Sequence, residues 1–395
     1  MDNRLCSAEN TLLPVEVVCC DQLAPHGDLS MKKRPLGSTG IDVAPIGLGA
    51  AQLGSSEYDH SKEIVFKALD MGVNYFDTAQ GYWDSEVKLG KALKGERENV
   101  IVSSKTGGKT KEEAAAHIDE SLQKLQTDYI DNYHLHALSD LDDVDVRLGG
   151  PLEALIEARE AGKIRNIGIT GHTFPSVLVA ALKRFDFDTF LVPLNIVERE
   201  PLAELIPLAI EKNVGITIMK PVATGLLPAP LALKWLMNQN IAVAVPGSTT
   251  VAEMEQNASI GALDEYTLTA DEESEVASWA LQLSTDRCRI CMECLPCPSD
   301  ITIPSTLGTD VLYDHYRTMG PVNFSKFPWE PSRVEADLQG RESLINKIND
   351  HDACDSCMQC ESRCPYGLPI VSMLRTMVPK MEDMLDIWSK ESAMV

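Results

Sequence analysis

Eight of the chain's 11 cysteines fall in two tight runs: Cys288, Cys291, Cys294 and Cys297, then Cys354, Cys357, Cys360 and Cys364. The second run reads C-x2-C-x2-C-x3-C-P and ends at Pro365; the first reads C-x2-C-x2-C-x2-C-P and ends at Pro298. Thiolates separated by two residues can each bind one corner of an iron–sulfide cubane. Where two such runs occur, the fourth cysteine, followed by proline, commonly serves the other cluster. That rule pairs Cys288, Cys291 and Cys294 with Cys364, and Cys354, Cys357 and Cys360 with Cys297. Two self-contained runs, or zinc held by sets of four thiolates, are the alternatives. Cys6, Cys19 and Cys20 are left over as structural or free thiols.

This use of cysteine points to a reducing compartment and hence to the cytoplasm, where disulfides are rare. No stretch approaches the ~20 apolar residues of a membrane span. The N-terminus lacks the basic-then-apolar pattern of a secretory signal. A net charge of −24 over 395 residues argues against a nucleic-acid partner, which would need Lys and Arg to neutralise phosphates.

A second set of chemistry-bearing residues, Asp77, Tyr82, Lys105 and His136, falls at or just after the ends of apolar runs. Such runs recur eight times, at 43–49, 73–78, 100–104, 129–136, 164–170, 189–195, 215–220 and 241–246. Helical patterns lie between them at 61–71, 86–93, 111–125, 152–161, 174–184, 202–212 and 231–238. Eight strand–helix units over roughly 250 residues predict an α/β fold, a closed parallel (β/α)8 TIM barrel whose active residues lie at the C-terminal strand ends. A doubly wound sheet would offer G-x-G-x-x-G after its first strand. Here the nearest match, from Gly47 to Gln52, lacks the third glycine. The expected division is an N-terminal extension at 1–31, the barrel at 32–283 and the cysteine-bearing domain at 284–395. A 56-residue spacer, 298–353, separates the cysteine runs. It is too long for a compact bacterial ferredoxin, and helical patterns at 341–348 and 369–377 predict a small, mostly helical ferredoxin-like domain.

Three segments, Phe76-Asp77-Thr78-Ala79-Gln80-Gly81-Tyr82, Ser103-Ser104-Lys105-Thr106 and Asp131-Asn132-Tyr133-His134-Leu135-His136, are joined by a fourth running from Pro246 to Asn257. Through them the chain resembles the aldo-keto reductases from about 33 to 283. With the cysteine runs it further resembles a subgroup carrying a C-terminal four-iron–four-sulfur domain. The resemblance implies an oxidoreductase acting on a carbonyl or alcohol substrate with a nicotinamide cofactor. Tyr82 would be the general acid in reduction, Lys105 the cation that lowers its pKa, Asp77 the anchor of Lys105, and His136 the group that orients the carbonyl oxygen. His134, two residues back on the same strand face, would sit one layer below.

The resemblance also implies that the cofactor is held by Thr170, His172 and Asn195 near the nicotinamide, and by Gly247, Ser248, Glu253, Gln256 and Asn257 near the adenine ribose and phosphates. Members that prefer NADP place basic residues in this last stretch. Glu253 stands where arginine is common and would repel a 2′-phosphate, which favours NADH over NADPH. Thr170-Gly171-His172 replaces the family's usual Ser-Asn. The clusters would transfer electrons to the substrate or to a redox partner protein. The alternatives are a carbonyl reductase with structural clusters, or an electron-transfer protein using the barrel as a docking scaffold.

Overall fold

The computed structural model describes residues 31–172, 174–284, 288–289, 293–309, 313 and 331–392. The extension at 1–30, Cys291 and the spacer aromatics Phe324, Phe327 and Trp329 lie outside the described residues.

A short antiparallel hairpin, β1 (Arg34–Pro35) and β2 (Asp42–Val43), comes first. Eight parallel strands follow: β3 (Leu48–Gly49), β4 (Tyr75–Asp77), β5 (Ile101–Thr106), β6 (Ile130–Leu135), β7 (Ile164–Thr170), β8 (Thr189–Pro193), β9 (Gly215–Met219) and β10 (Val243–Ala244). They pair in sequential order, and bridges from Ile46 to Ala244 and from Gly49 to Gly247 join the first to the last. The sheet is thus a closed barrel; seven of the eight expected runs contain their strands, and the run at 100–104 stops two residues short of the end of β5 at Thr106. The hairpin plugs the N-terminal end of the barrel. Its Leu36 and Val43 are fully buried among Tyr75, Leu191, Val243 and Val245.

Helices α1 (Tyr58–Asp70), α2 (Ser85–Ala92), α3 (Lys111–Leu125), α4 (Leu141–Arg147), α5 (Gly150–Glu160), α6 (Pro175–Leu182), α7 (Leu205–Glu211), α8 (Ala229–Met237), α9 (Val251–Gly261) and α10 (Ala270–Ser284) follow the strands. Local chemistry sets their ends. At α3, Thr110 Oγ1 accepts from the Glu113 N–H at 3.2 Å, and Glu113 Oε2 accepts from the Thr110 N–H at 3.1 Å. This reciprocal cap is worth about 0.5–2 kcal/mol.

The barrel interior is filled by side chains in layers. The ring of His134 faces inward, its Nε2 2.8 Å from Thr189 Oγ1. It fits because position 168 is glycine: a Cβ there would lie 2.2 Å from the ring.

After α10 a second, separate core forms. It joins Cys294, Ile301, Ile303 and Leu307 to Ile345 and Ile348 of helix Pro331–Asn349 and to Leu374, Met377 and Met381 of helix Ile370–Ser392. Short helices His351–Cys357 and Gln359–Arg363 carry Cys354, Cys357 and Cys360, and Cys364 follows directly. Among the described residues no helix is long and apolar enough to cross a membrane.

Candidate active site and cysteine centres

Three neighbouring strand ends bring the expected tetrad together. Asp77 ends β4, Lys105 lies near the end of β5 and His136 directly follows β6. Lys105 Nζ donates to Asp77 Oδ2 at 2.7 Å and to the Thr78 carbonyl at 2.6 Å, and the lysine is 1% exposed. The same ammonium lies 5.2 Å from the centre of the Tyr82 ring, which stands edge-on to the His136 ring at 5.7 Å. His172 is 6.2 Å from His136. A phenol, an ammonium, a carboxylate and two imidazoles therefore share one mouth of the barrel.

The backbone beside these groups is strained. Trp83 (φ 44°), next to Tyr82, and Ala137 (φ 57°), next to His136, both occupy the left-handed region. Such conformations cost of order 1–3 kcal/mol each and persist only where surrounding structure enforces them. The enforcing contacts are visible. Ala137 donates its N–H to Thr170 Oγ1 at 2.7 Å. The buried Arg147 of α4 donates to the carbonyls of Thr106, Gly107 and His136 at 2.5, 2.8 and 3.3 Å. Lys88 of α2 donates to the carbonyls of Leu53, Gly54 and Ser56 at 2.9, 2.7 and 2.5 Å, clamping the turn that packs on the Tyr82 backbone. Arg147 and Lys88 are not visible in sequence as site residues, because the carbonyls they collect come from separate loops.

One electrostatic expectation is corrected. Burial, with the Asp77 carboxylate adding to it, pushes the Tyr82 phenol above its usual range. The nearby Lys105 ammonium, committed to Asp77 and Thr78, does not outweigh that burial. Tyr82 is thus held protonated, the state a proton donor needs. Burial also drives His136 well below the usual imidazole range, with Lys105 adding to the effect, and takes His172 down to about 3. Both rings are neutral at pH 7. Reduction should therefore show no inflection between about pH 5 and 8, where histidines ordinarily titrate. It should fall only above the ordinary phenol range, as Tyr82 loses its proton; oxidation, which needs the phenolate, should rise there. A profile of log kcat against pH with a break near 6–7 in the reductive direction would contradict this.

The expected cofactor residues divide into two groups by geometry. Thr170 and Asn195 are engaged within the protein. Thr170 supports Ala137, as above. Asn195 donates to Glu198 Oε2 at 2.6 Å and to the Lys220 carbonyl at 3.1 Å, and its Oδ1 accepts from the N–H groups of Val197 and Glu198 at 2.9 Å. Gly247 and Ser248 precede α9, and Glu253, Gln256 and Asn257 lie on its first two turns. Asn257 Nδ2 donates to the buried Ser248 Oγ at 3.2 Å. Gly247 lies against the Gln52 amide, where a Cβ would come within 2.4 Å. Glu253 Oε2 accepts from the Thr249 N–H at 2.6 Å and its hydroxyl at 2.9 Å, so a carboxylate occupies this positive helix end.

In the second domain the two cysteine runs interleave. Cys288 and Cys294 of the first run and Cys364 of the second line one small pocket, walled also by Ile303, Tyr366 and Leu368. Cys297 faces the other group. Burial pushes the Cys354 thiol up and Cys360 up to about 11, and the charge of Cys297 adds to both. Among the described residues no three thiol, imidazole or carboxylate groups are placed to hold a single metal ion.

The aldo/keto reductase family matches residues 45–230, and the 4Fe-4S dicluster domain matches 287–368. L-galactose dehydrogenase of Arabidopsis thaliana is 34% identical over 221 residues, 51% of this chain and 69% of that protein. NADH-specific methylglyoxal reductase of Escherichia coli is 30% identical over 227 residues, 50% of this chain and 69% of that protein. The holo form of aldo-keto reductase AKR11C1 from Bacillus halodurans is 29% identical, with a TM-score of 0.56, and covers 63% of this chain and 96% of its own. The chain belongs to the aldo/keto reductase family of oxidoreductases and carries a 4Fe–4S domain after its barrel.

Proposed function

We propose that the protein reduces a small polar carbonyl compound with NADH, and that its C-terminal domain holds two 4Fe–4S clusters with exchanged fourth ligands. The observation that carries the first part is the contact set around Lys105, 2.7 Å from Asp77 and 5.2 Å from the Tyr82 ring, itself 5.7 Å from His136. A nicotinamide bound there would supply a hydride to the carbonyl carbon, both electrons together, and the clusters would separately pass single electrons to a redox partner protein. Tyr82 gives its proton to the oxygen as negative charge develops there. The neutral His136 orients that oxygen, and Lys105 stabilises the charge left on the phenol. The names of the two relatives above, which mention methylglyoxal and L-galactose, support a substrate that is small, polar, and carbonyl- or hydroxyl-bearing.

NADH is favoured by Glu253. A carboxylate at the start of α9 repels a phosphate dianion and can accept from ribose hydroxyls. The residues fit a nucleotide without a 2′-phosphate. Glu253→Arg is expected to raise affinity for NADPH relative to NADH by at least tenfold. Fluorescence titration of both variants with both cofactors checks this; wild-type protein binding NADPH the more tightly would overturn the NADH assignment.

The cluster assignment is supported by the interleaving of the two runs. Cys288, Cys294 and Cys364 share a wall, and Cys291 completes that set; Cys297 joins Cys354, Cys357 and Cys360. The first set is walled mainly by Ile303, Pro304, Tyr366, Leu368 and Ile370, which suits a cubane. Ligation also supplies folding energy to a small domain. A reducing cytoplasm, and a redox partner protein that accepts single electrons, follow from the same reading. Anaerobic purification with iron and sulfide quantitation tests it, with about eight of each expected per chain for two cubanes.

A further inference from the structure

Arg289 is the residue after Cys288, and it lines the same cavity as Cys288, Cys294 and Cys364. Its guanidinium stacks 4.1 Å over the Tyr366 ring and forms an ion pair with Glu200. Glu200 belongs to the barrel. It opens the single turn Glu200–Leu202, which follows β8 and the Asn195–Glu198 turn at the C-terminal face. One side chain thus touches both the wall of a cysteine centre and the rim on which the tetrad opens. The arginine side chain is only 15% exposed, so its charge is weakly screened. The other cysteine set has a different cation. Arg375 lies near Cys354 and pairs with Asp355 of the same domain at 2.8 Å, with no link to the barrel among its described contacts.

We infer that Arg289 makes the centre walled by Cys288, Cys294 and Cys364 the barrel-proximal one, and that the Glu200–Arg289 pair sets its reduction potential while tying its charge to the catalytic rim. The inference rests on the cluster reading above. A cubane held by four thiolates is anionic, and one more negative charge arrives on reduction. A guanidinium on its wall therefore stabilises the reduced form more than the oxidised form and raises the potential. The Glu200 carboxylate, fixed on the far side of that guanidinium, offsets part of the effect. The two residues act with opposite sign on one centre.

The test is an anaerobic redox titration of the full-length protein with dithionite, followed by electron paramagnetic resonance. Arg289→Gln is expected to lower one of the two midpoint potentials by at least tenfold in the equilibrium constant, about 59 mV for one electron. Glu200→Gln is expected to raise that same potential, and the second centre should stay put in both variants. Opposite shifts confined to one centre are not what a general loosening of the domain produces. Should Arg289→Gln fail to assemble its cluster, the rise in Glu200→Gln still decides. Two wild-type signals that ignore both substitutions, or move in the same direction, overturn the inference alone. A wild-type protein with no reducible iron–sulfur signal sinks the cluster reading, and this inference with it.

Discussion

Tyr82→Phe is expected to lower kcat for NADH-linked carbonyl reduction by about 10²–10⁴-fold, the usual contribution of a positioned general acid, while cofactor affinity and iron content stay at wild-type levels. The substitution removes one oxygen and keeps the ring that packs edge-on to His136. The fold should therefore tolerate it. The loss would be in kcat, because the proton moves only in the transition state. Steady-state kinetics on a panel of small aldehydes, with cofactor binding measured separately, checks this. A loss of less than threefold would remove Tyr82 from the chemistry and leave the pocket with no obvious acid, since His136 and His172 are both held neutral.

Asp77→Asn should cost more in stability than any surface change. Asp77 is 5% exposed and Lys105 1%, and the two are joined at 2.7 Å. Burial pushes the Asp77 carboxyl up and the Lys105 ammonium down, and each charge opposes the other's shift. Removing one partner strands a buried charge, at a cost of about 3–5 kcal/mol. The amide would leave Lys105 with the Thr78 carbonyl and little else to favour its charged form. Its folded-state pKa then drops further below the unfolded value. The unfolded chain binds more protons than the folded one in the window between the two values, so stability of the variant should rise as pH increases through it. Urea midpoints at pH 7 and pH 9.5 should show a large deficit that narrows at the higher pH. A variant as stable as wild type at pH 7 would mean that the pair is not ionised in the folded protein.

Much of the barrel was legible because parallel strands buried on both faces read as apolar runs. The run at 164–170 matches β7, and the helical pattern at 111–125 matches α3, where Thr110 and Glu113 mark the cap in the sequence itself. Helix α4 was not anticipated. Its sequence, Leu-Asp-Asp-Val-Asp-Val-Arg, has no clear apolar face, and its purpose is visible only when Arg147 is seen gripping three carbonyls from two strand ends. The hairpin β1–β2 escaped for a similar reason: two-residue strands carry no periodicity, and only the barrel floor gives Leu36 a place to be buried.

Within the site, the motif named which residues meet, but not their charge states. Lys105 stands close enough to the Tyr82 ring to suggest a lowered pKa, and only the hydrogen bonds to Asp77 and Thr78 show where its charge is directed. Asn195 is expected at the nicotinamide by resemblance, and in the structure Val197 and Glu198 use it to build a turn that it ties to the Lys220 carbonyl. Arg289 reads as one solvated charge between cysteines, because its partner Glu200 is 89 residues away. The Cys-Pro endings predict an exchange of fourth cysteines, a proposal that the placement of Cys364 beside Cys288 and Cys294 supports.

The central claim is that Tyr82, aligned by Lys105 and His136, protonates a carbonyl oxygen as a nicotinamide in the barrel mouth delivers hydride to its carbon. A single-turnover reaction with NADH deuterated at the nicotinamide C4, run with methylglyoxal and a set of small aldehydes and aldoses and analysed by mass spectrometry, tests it most directly. The account predicts one deuterium on the new carbinol carbon in wild type and near-complete loss of labelled alcohol in Tyr82→Phe. Alcohol formed without the label, or labelled alcohol produced equally by Tyr82→Phe, would contradict it.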